Sequence, residues 1–236
     1  MKLSIIIPCY NESESIIHLI KKCIQISENW VEIILVDNGS SDDTFKKLSN
    51  INLPDNIKVL RIDENIGYGY GIISGLKYAK GTILSWTHAD LQTDIYDVVN
   101  AYHLFEEDLH DKKCLVKGIR KKRNFFDSFF SFFMGLYCSL ILRSWMYDIN
   151  AQPKLFHKDF LSDFVNPPMD FSLDLFIIHF FKTKKIAVNS FPVYFSKRKF
   201  GEAKGGGTLI GKFRLIKRTL IYIHRLNKNL NGIHHS

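Results

Sequence analysis

Apolar residues in this chain fall in short solid runs, separated by stretches whose apolar positions recur at helical spacing. Ser4 to Ile7, stopped by Pro8, is a continuous run of the kind a strand shows when both its faces are buried in a parallel sheet. The polar Tyr10, Asn11 and Glu12 follow. Ile16, Ile17, Leu19, Ile20, Cys23 and Ile24 then line one side of a helix predicted from about Ser13 to Ser27, with Ser13 or Asn11 as its cap. Trp30 to Val36 predicts a second strand that runs out into Asp37, Asn38, Gly39, Ser40 and Ser41. Strand, loop, helix and strand in this order make a βαβ unit with a right-handed crossover.

The alternation continues with a short helix over Asp42 to Leu48 and a third strand over Lys58 to Ile62. Asn65 to Gly71 reads as a flexible loop leading into a helix that carries Ile72, Ile73, Leu76 and Tyr78. Its glycines lack the spacing of a dinucleotide fingerprint, since Gly69 and Gly71 are not followed by another glycine three residues on. They read instead as places where backbone passes close to a ligand or a neighbouring helix. Gly81 to Thr87 predicts a fourth strand, after which the chain turns abruptly polar from His88 through Asp94. A helix carrying Ile95, Val98, Val99, Tyr102 and Phe105 follows. The next strand, Cys114 to Gly118, ends in the basic Ile119, Arg120, Lys121, Lys122 and Arg123.

In the second half, Phe125 to Tyr147 is rich in Phe, Leu and Ile, and its uncharged core from Ser128 to Leu142 is shorter than the ~20 residues a membrane span needs. Two readings stand: a helix packed in the core, or an interfacial one whose Phe side chains dip into lipid headgroups. Asp148 to Phe156 reads as a polar loop in which Asn150 and Gln152 can hydrogen-bond a sugar. Phe171 to Phe181 predicts a helix carrying Asp174 in apolar surroundings, where a carboxylate is either paired or functional. Ile186 to Phe195 is a late strand. It runs into a basic, glycine-rich loop, Ser196 to Gly207, expected to stay mobile until an anion orders it. From Thr208 to about Asn227, Leu209, Phe213, Ile216, Leu220 and Ile223 form an apolar stripe with Lys212, Lys217, Arg218 and Arg225 elsewhere. This basic amphipathic helix either docks on its own domain or anchors the chain on anionic lipid. The expected organisation is one domain over residues 1–207 and a helical tail over 208–236.

A chain of 236 residues with a formal charge of +8 suits an anionic partner, whether nucleic acid, nucleotide phosphates or an acidic membrane surface. The aromatics lie in apolar runs rather than between the cations, and no nucleic-acid motif is present, which sets nucleic acid aside. The four cysteines are far apart and none forms Cys-x-x-Cys, which argues against a zinc site and for a reducing compartment. The N-terminus opens on a strand-like run without signal-peptide character, so a cytoplasmic protein, peripheral on the inner face of a membrane, is expected.

The polar segment after the fourth strand delivers oxygens at a strand's C-terminal end, where open α/β sheets bind ligands. Asp90 and Gln92 are hard donors of the kind Mg²⁺ or Mn²⁺ accepts beside a substrate phosphate. The plainer alternative is a loop carboxylate ahead of a helix capped by Thr93 or Asp94. Arg120 and its neighbours are either a solvated turn or ligands of phosphate oxygens.

Together these segments resemble the family 2 glycosyltransferases of GT-A fold, and among them the polyprenyl-phosphate hexose transferases of the dolichyl-phosphate mannose synthase type. The resemblance is carried by Ile5–Glu12, Val36–Thr44, Asn65–Gly67, Ala89–Gln92, Gly118–Arg120 and Arg198–Lys204, in the family's order. It implies a Rossmann-like, mixed but mostly parallel sheet flanked by helices, with the amphipathic helix at the C-terminus. It implies a nucleotide-sugar site with Pro8, Tyr10, Glu12 and Asp37 near base and ribose, and Asp90 and Gln92 on a Mg²⁺ or Mn²⁺ ion. Arg120, Arg198 and Lys204 would face the phosphates of donor or acceptor. One position departs from the pattern: His88 stands where such proteins usually carry an acid.

The activity so implied is inverting transfer of a hexose from a GDP- or UDP-linked donor to a polyprenyl phosphate at a membrane surface, with a membrane protein partner possible. A lipid phosphate is already ionised and needs no general base. The alternative acceptor is a sugar hydroxyl in a cell-envelope glycan, which would need a base, for which Asp174 is the candidate. A catalytically silent nucleotide-sugar binder is the non-enzymatic alternative.

Overall fold

A computed structural model of the chain describes residues 1–122, 125–196 and 217–226. The first strand, β1 (Leu3–Cys9), leads through α1 (Ile16–Gln25) to β2 (Val31–Asn38), then through α2 (Thr44–Ser49) to β3 (Ile57–Ile62) and through α3 (Tyr68–Tyr78) to β4 (Ile83–Trp86). The chain continues with α4 (Tyr96–Leu104), α5 (Glu106–His110), β5 (Cys114–Lys121) and α6 (Phe125–Ile141). The last described elements are β6 (Lys154–His157), a 3₁₀ turn (Lys158–Asp163), α7 (Leu173–Thr183), β7 (Ala187–Tyr194) and a helix over residues 217–226, α8.

The strands form one sheet in the order β3-β2-β1-β4-β6-β5-β7. Among the described strands only β6 runs against the rest, pairing antiparallel with both β4 and β5. Alternate residues of the solid apolar runs serve the two faces, as a doubly covered sheet requires. Ile5, Ile7, Ile33 and Leu35 pack with α1 and α4 on one side. Ile6, Ile34 and Val36 pack with α3, α6, α7 and Ile223 of α8 on the other. Because β1 lies between β2 and β4, the chain moves outward from it in both directions, and this reversal opens a crevice at the strands' C-terminal ends.

Three expectations need correction. Helix α3 begins at Tyr68, so Gly69 and Gly71 lie within the helix rather than in a loop. The reason is contact with a segment distant in sequence. A Cβ at Gly69 would stand 2.4 Å from the carbonyl oxygen of Pro168, and one at Gly71 would stand 2.9 Å from the side chain of Asn38. Strand β5 extends to Lys121, so Ile119 and Arg120 belong to the sheet, pairing with Pro192 and Val193 of β7. Finally, the supposed polar loop contains β6, whose four residues are all buried, Lys154 among them. A four-residue strand opening on a lysine carries too little periodicity to be seen without its partners.

The described part of α8 is docked on the domain: Ile223 is fully buried and Tyr137 of α6 is 2.9 Å from Nε2 of His224. Phe129, Phe130, Phe132 and Phe133 of α6 are each 44–49% exposed. Trp145 just beyond the helix is 61% exposed. Among the described residues no helix is long and apolar enough to cross a membrane.

Candidate active site

The C-terminal ends of β1, β2, β4 and β5 bring most of the sequence's candidate residues to one edge. Asp37, near the end of β2, is wholly buried. Its Oδ1 accepts the Ser40 N–H at 3.3 Å, while Oδ2 has no hydrogen-bond partner among the described residues. The Arg61 Nη1 lies 3.8 Å from that oxygen. Pro8, near the end of β1, and Tyr10, on the loop that leaves it, are half-buried. Glu12 is occupied locally: its carboxylate accepts the Ser15 hydroxyl at 2.7 Å and its N–H donates to Thr44 at 2.8 Å. That placement braces the start of α1.

Asp90 follows β4 and is half-buried. Its Oδ1 accepts the Gln92 N–H at 3.1 Å, closing a tight turn through Leu91, whose φ is 58°. The Gln92 amide nitrogen donates to the Ser196 carbonyl at 3.1 Å, which leaves its oxygen as the remaining donor atom toward a cation. Among the described residues no three His, Cys, Asp or Glu side chains are grouped to hold a metal. Asp90 and Gln92 are hard oxygen donors suited to a divalent ion only if a ligand's phosphates and water complete the shell.

His88 packs against Tyr68, with ring centroids 5.9 Å apart, and Tyr68 in turn stacks on Phe171 at 4.6 Å. Burial holds the His88 imidazole below its ordinary pKa; Asp90 and Asp174 pull the other way, and Arg120 and Lys154 reinforce the lowering. The side chain is therefore neutral near pH 7. Burial pushes the Tyr68 phenol up, and the charges of Asp174 and Asp90 add to the effect.

Below these groups lies a polar network in which Asp174 is paired rather than available. Its Oδ1 accepts the Lys154 ammonium at 2.6 Å and the Gln152 amide at 2.9 Å, and Gln152 also reaches the Tyr68 hydroxyl at 3.3 Å. Lys154 and Asp174 are 0% and 1% exposed, so Asp174 is the counter-ion of a sealed ammonium. Of the two readings of this carboxylate, pairing is what its surroundings describe.

Arg120 is bound on one side by Asp148. Its backbone N–H donates to Oδ2 at 2.7 Å, and its Nε and Nη2 donate to Oδ1 at 2.9 and 2.5 Å. Phe195 stands under the guanidinium at 5.5 Å. Burial pushes the Asp148 carboxyl up, but the charge and hydrogen bonds of Arg120 outweigh this and hold it below the usual carboxylate range. Lys117, also buried, donates to the carbonyls of Gly118 and Asp148 at 2.8 and 3.3 Å. Burial, with Lys154 nearby, brings its pKa down to about 8. Arg198 and Lys204 lie outside the described residues.

Tyr68, Lys117, Asp148 and Lys154 were not singled out as site residues from sequence. The available signal was a lone lysine inside an apolar strand, as in Leu115-Val116-Lys117 and Lys154-Leu155-Phe156. A buried ammonium requires a carboxylate or carbonyls brought from elsewhere in the chain.

A mixed sheet in this order, with an acidic and cationic crevice at the strands' C-terminal edge, is the GT-A glycosyltransferase fold. The family model described as glycosyl transferase family 2 matches residues 4–152, and the chain belongs to that family. It is 36% identical over 135 residues to an undecaprenyl-phosphate 4-deoxy-4-formamido-L-arabinose transferase of Proteus mirabilis, covering 55% of this chain and 39% of the relative. A Yersinia pestis protein of the same name is 36% identical over 112 residues, covering 45% of this chain and 34% of its own. The chain thus spans well under half the length of these relatives. Among solved structures, glucosyl-3-phosphoglycerate synthase from Mycobacterium tuberculosis, in complex with Mn²⁺, UDP and glucosyl-3-phosphoglycerate, superposes with a TM-score of 0.72 at 15% identity. That match covers 96% of this chain and 79% of the other. S. aureus TarS (1–349) superposes with a TM-score of 0.56 at 20% identity over 83% of this chain and 60% of its own.

Proposed function

We propose that this chain is an inverting glycosyltransferase that moves one sugar from a nucleotide-linked donor to a polyprenyl phosphate at a membrane surface. The observation that carries the choice of acceptor is the state of the carboxylates. Asp37 lies beside Arg61, Asp148 binds Arg120, Asp174 is bound to Lys154, and Asp90 is turned into its own loop. A hydroxyl acceptor needs one of them as a base, whereas a phosphate monoester arrives already ionised and needs cations instead. The names of the relatives, undecaprenyl-phosphate transferases, support the same acceptor class.

In this reading Oδ2 of Asp37, beside Arg61 but without a hydrogen bond among the described residues, accepts an N–H of the base or a ribose hydroxyl, with Pro8 and Tyr10 walling the pocket. Asp90, with Gln92, would hold a Mg²⁺ or Mn²⁺ ion, which neutralises charge building on the departing diphosphate. Neutral His88 and Tyr68 close the floor under the sugar without adding negative charge. Arg120 presents a fixed cation to the attacking phosphate, with Arg198 and Lys204 as further cations. The exposed phenylalanines of α6 would rest in the headgroup layer, and the exposed Arg143, Lys217, Arg218 and Arg225 would meet its anionic lipids, since aromatic rings and cations are both favoured there.

The test is release of nucleotide and formation of a lipid-linked sugar, with UDP- and GDP-sugars each offered with undecaprenyl phosphate or with a glycan acceptor. Product on the lipid phosphate is expected. Product on the glycan alone would overturn the choice of acceptor, and no turnover with any donor would leave a nucleotide-sugar binder.

A further inference from the structure

The residue that fixes Arg120, Asp148, is one that sequence did not single out. We infer that Asp148 is a positioning residue: it clamps one edge of Arg120 so that the other edge of the guanidinium is held toward the acceptor's phosphate.

Asp148 meets Arg120 three times, at the backbone N–H and at Nε and Nη2. These contacts use the Nε–Nη2 edge of the fork and leave Nη1 outside the clamp. Nε and Nη2 converge on the single oxygen Oδ1 while Oδ2 holds the backbone N–H, so the guanidinium is tied to its own strand by both carboxylate oxygens. Asp148 is itself held in an unusual place. Its backbone is left-handed, with φ at 43°, and its carbonyl receives the buried Lys117 ammonium at 3.3 Å. The clamp is also sheltered: the Arg120 and Asp148 side chains are 13% and 5% exposed, so water competes little with the bonds. A free arginine on a strand end samples many rotamers and binds phosphate at an entropic cost, which a preset guanidinium avoids.

This inference rests on the proposed role of Arg120, and the experiment separates the two. Asp148→Asn keeps the shape and tolerates the left-handed backbone, while removing the charge and one acceptor geometry. Steady-state rates with undecaprenyl phosphate are measured for wild type, Asp148→Asn, Arg120→Ala and the double variant, each checked by thermal melting. Asp148→Asn should raise the KM for the lipid phosphate about tenfold with the donor KM little changed, and should add nothing in the Arg120→Ala background. An additive effect, or equal changes in both KM values, would overturn the clamp alone. A silent Arg120→Ala would overturn the phosphate role of Arg120 and the clamp with it. A second readout does not depend on turnover: the Arg120 Nε–H resonance, slow to exchange in wild type, should exchange rapidly in folded Asp148→Asn. A resonance unchanged in the variant would count against the clamp.

Discussion

The ammonium of Lys154 lies 2.6 Å from Oδ1 of Asp174, and neither side chain is more than 1% exposed. A sealed ion pair adds little net stability, yet breaking it strands a charge in a low-dielectric interior. Asp174→Ala should therefore cost about 3–5 kcal/mol in chemical denaturation, whereas Asp174→Leu combined with Lys154→Met should recover most of the loss. If the pair mattered only for stability, the double variant would also recover activity; we expect it not to, because Gln152 and Tyr68 lose their anchor.

Asp90 is only half-buried, so its removal tests chemistry rather than folding. Asp90→Asn should leave the melting temperature within a degree or two (~0.5 kcal/mol for a surface change) and lower turnover about a hundredfold. Binding of Mn²⁺ in the presence of nucleoside diphosphate, followed by electron paramagnetic resonance, should weaken in parallel. Unchanged Mn²⁺ binding would remove Asp90 from the metal site.

Lys117 gives a pH dependence with a definite sign. Its folded pKa of about 8 lies below the ordinary lysine value of 10.5, so between these the unfolded chain holds more protons. Its contribution to the unfolding free energy therefore rises with pH across that window and is flat below it. Denaturation of wild type and Lys117→Met from pH 7 to 10.5 should show wild type gaining on the variant as pH rises.

Gly69 should tolerate no side chain. A Cβ there meets the carbonyls of Pro168 and Asp170 at 2.4 and 2.8 Å, and backbone cannot swing aside as a side chain does. Gly69→Ala should lose about 1–3 kcal/mol by denaturation despite the better helix propensity of alanine. An unchanged or higher stability would mean the segment over α3 moves freely.

The aromatic face of α6 should bind lipid. Replacing Phe129, Phe130 and Phe133 by Ser should reduce sedimentation with vesicles containing anionic phosphatidylglycerol by at least about tenfold, with the melting temperature unchanged. Neutral phosphatidylcholine vesicles should bind wild type weakly, because the cations of α8 have nothing to meet there. Equal binding to both would deny the electrostatic part.

The sequence by itself determined the sheet's core and the location of its acidic loop. Solid aliphatic runs such as Ile5–Ile7 and Ile33–Val36 can be satisfied only with both faces covered. A polar break such as His88–Asp94 can follow such a strand only where it leaves the core. Those are local facts of hydrophobic patterning, which one segment carries alone. Tertiary structure alone decided which charges are paired. Lys154 with Asp174, Arg120 with Asp148 and Lys117 with the Asp148 carbonyl join residues 20 to 31 positions apart. A charged side chain in the sequence shows its sign but not its partner, and burial makes the partner decisive. The same applies to β6 and to the helical glycines of α3, whose conformation is set by strands and carbonyls that arrive from elsewhere in the chain.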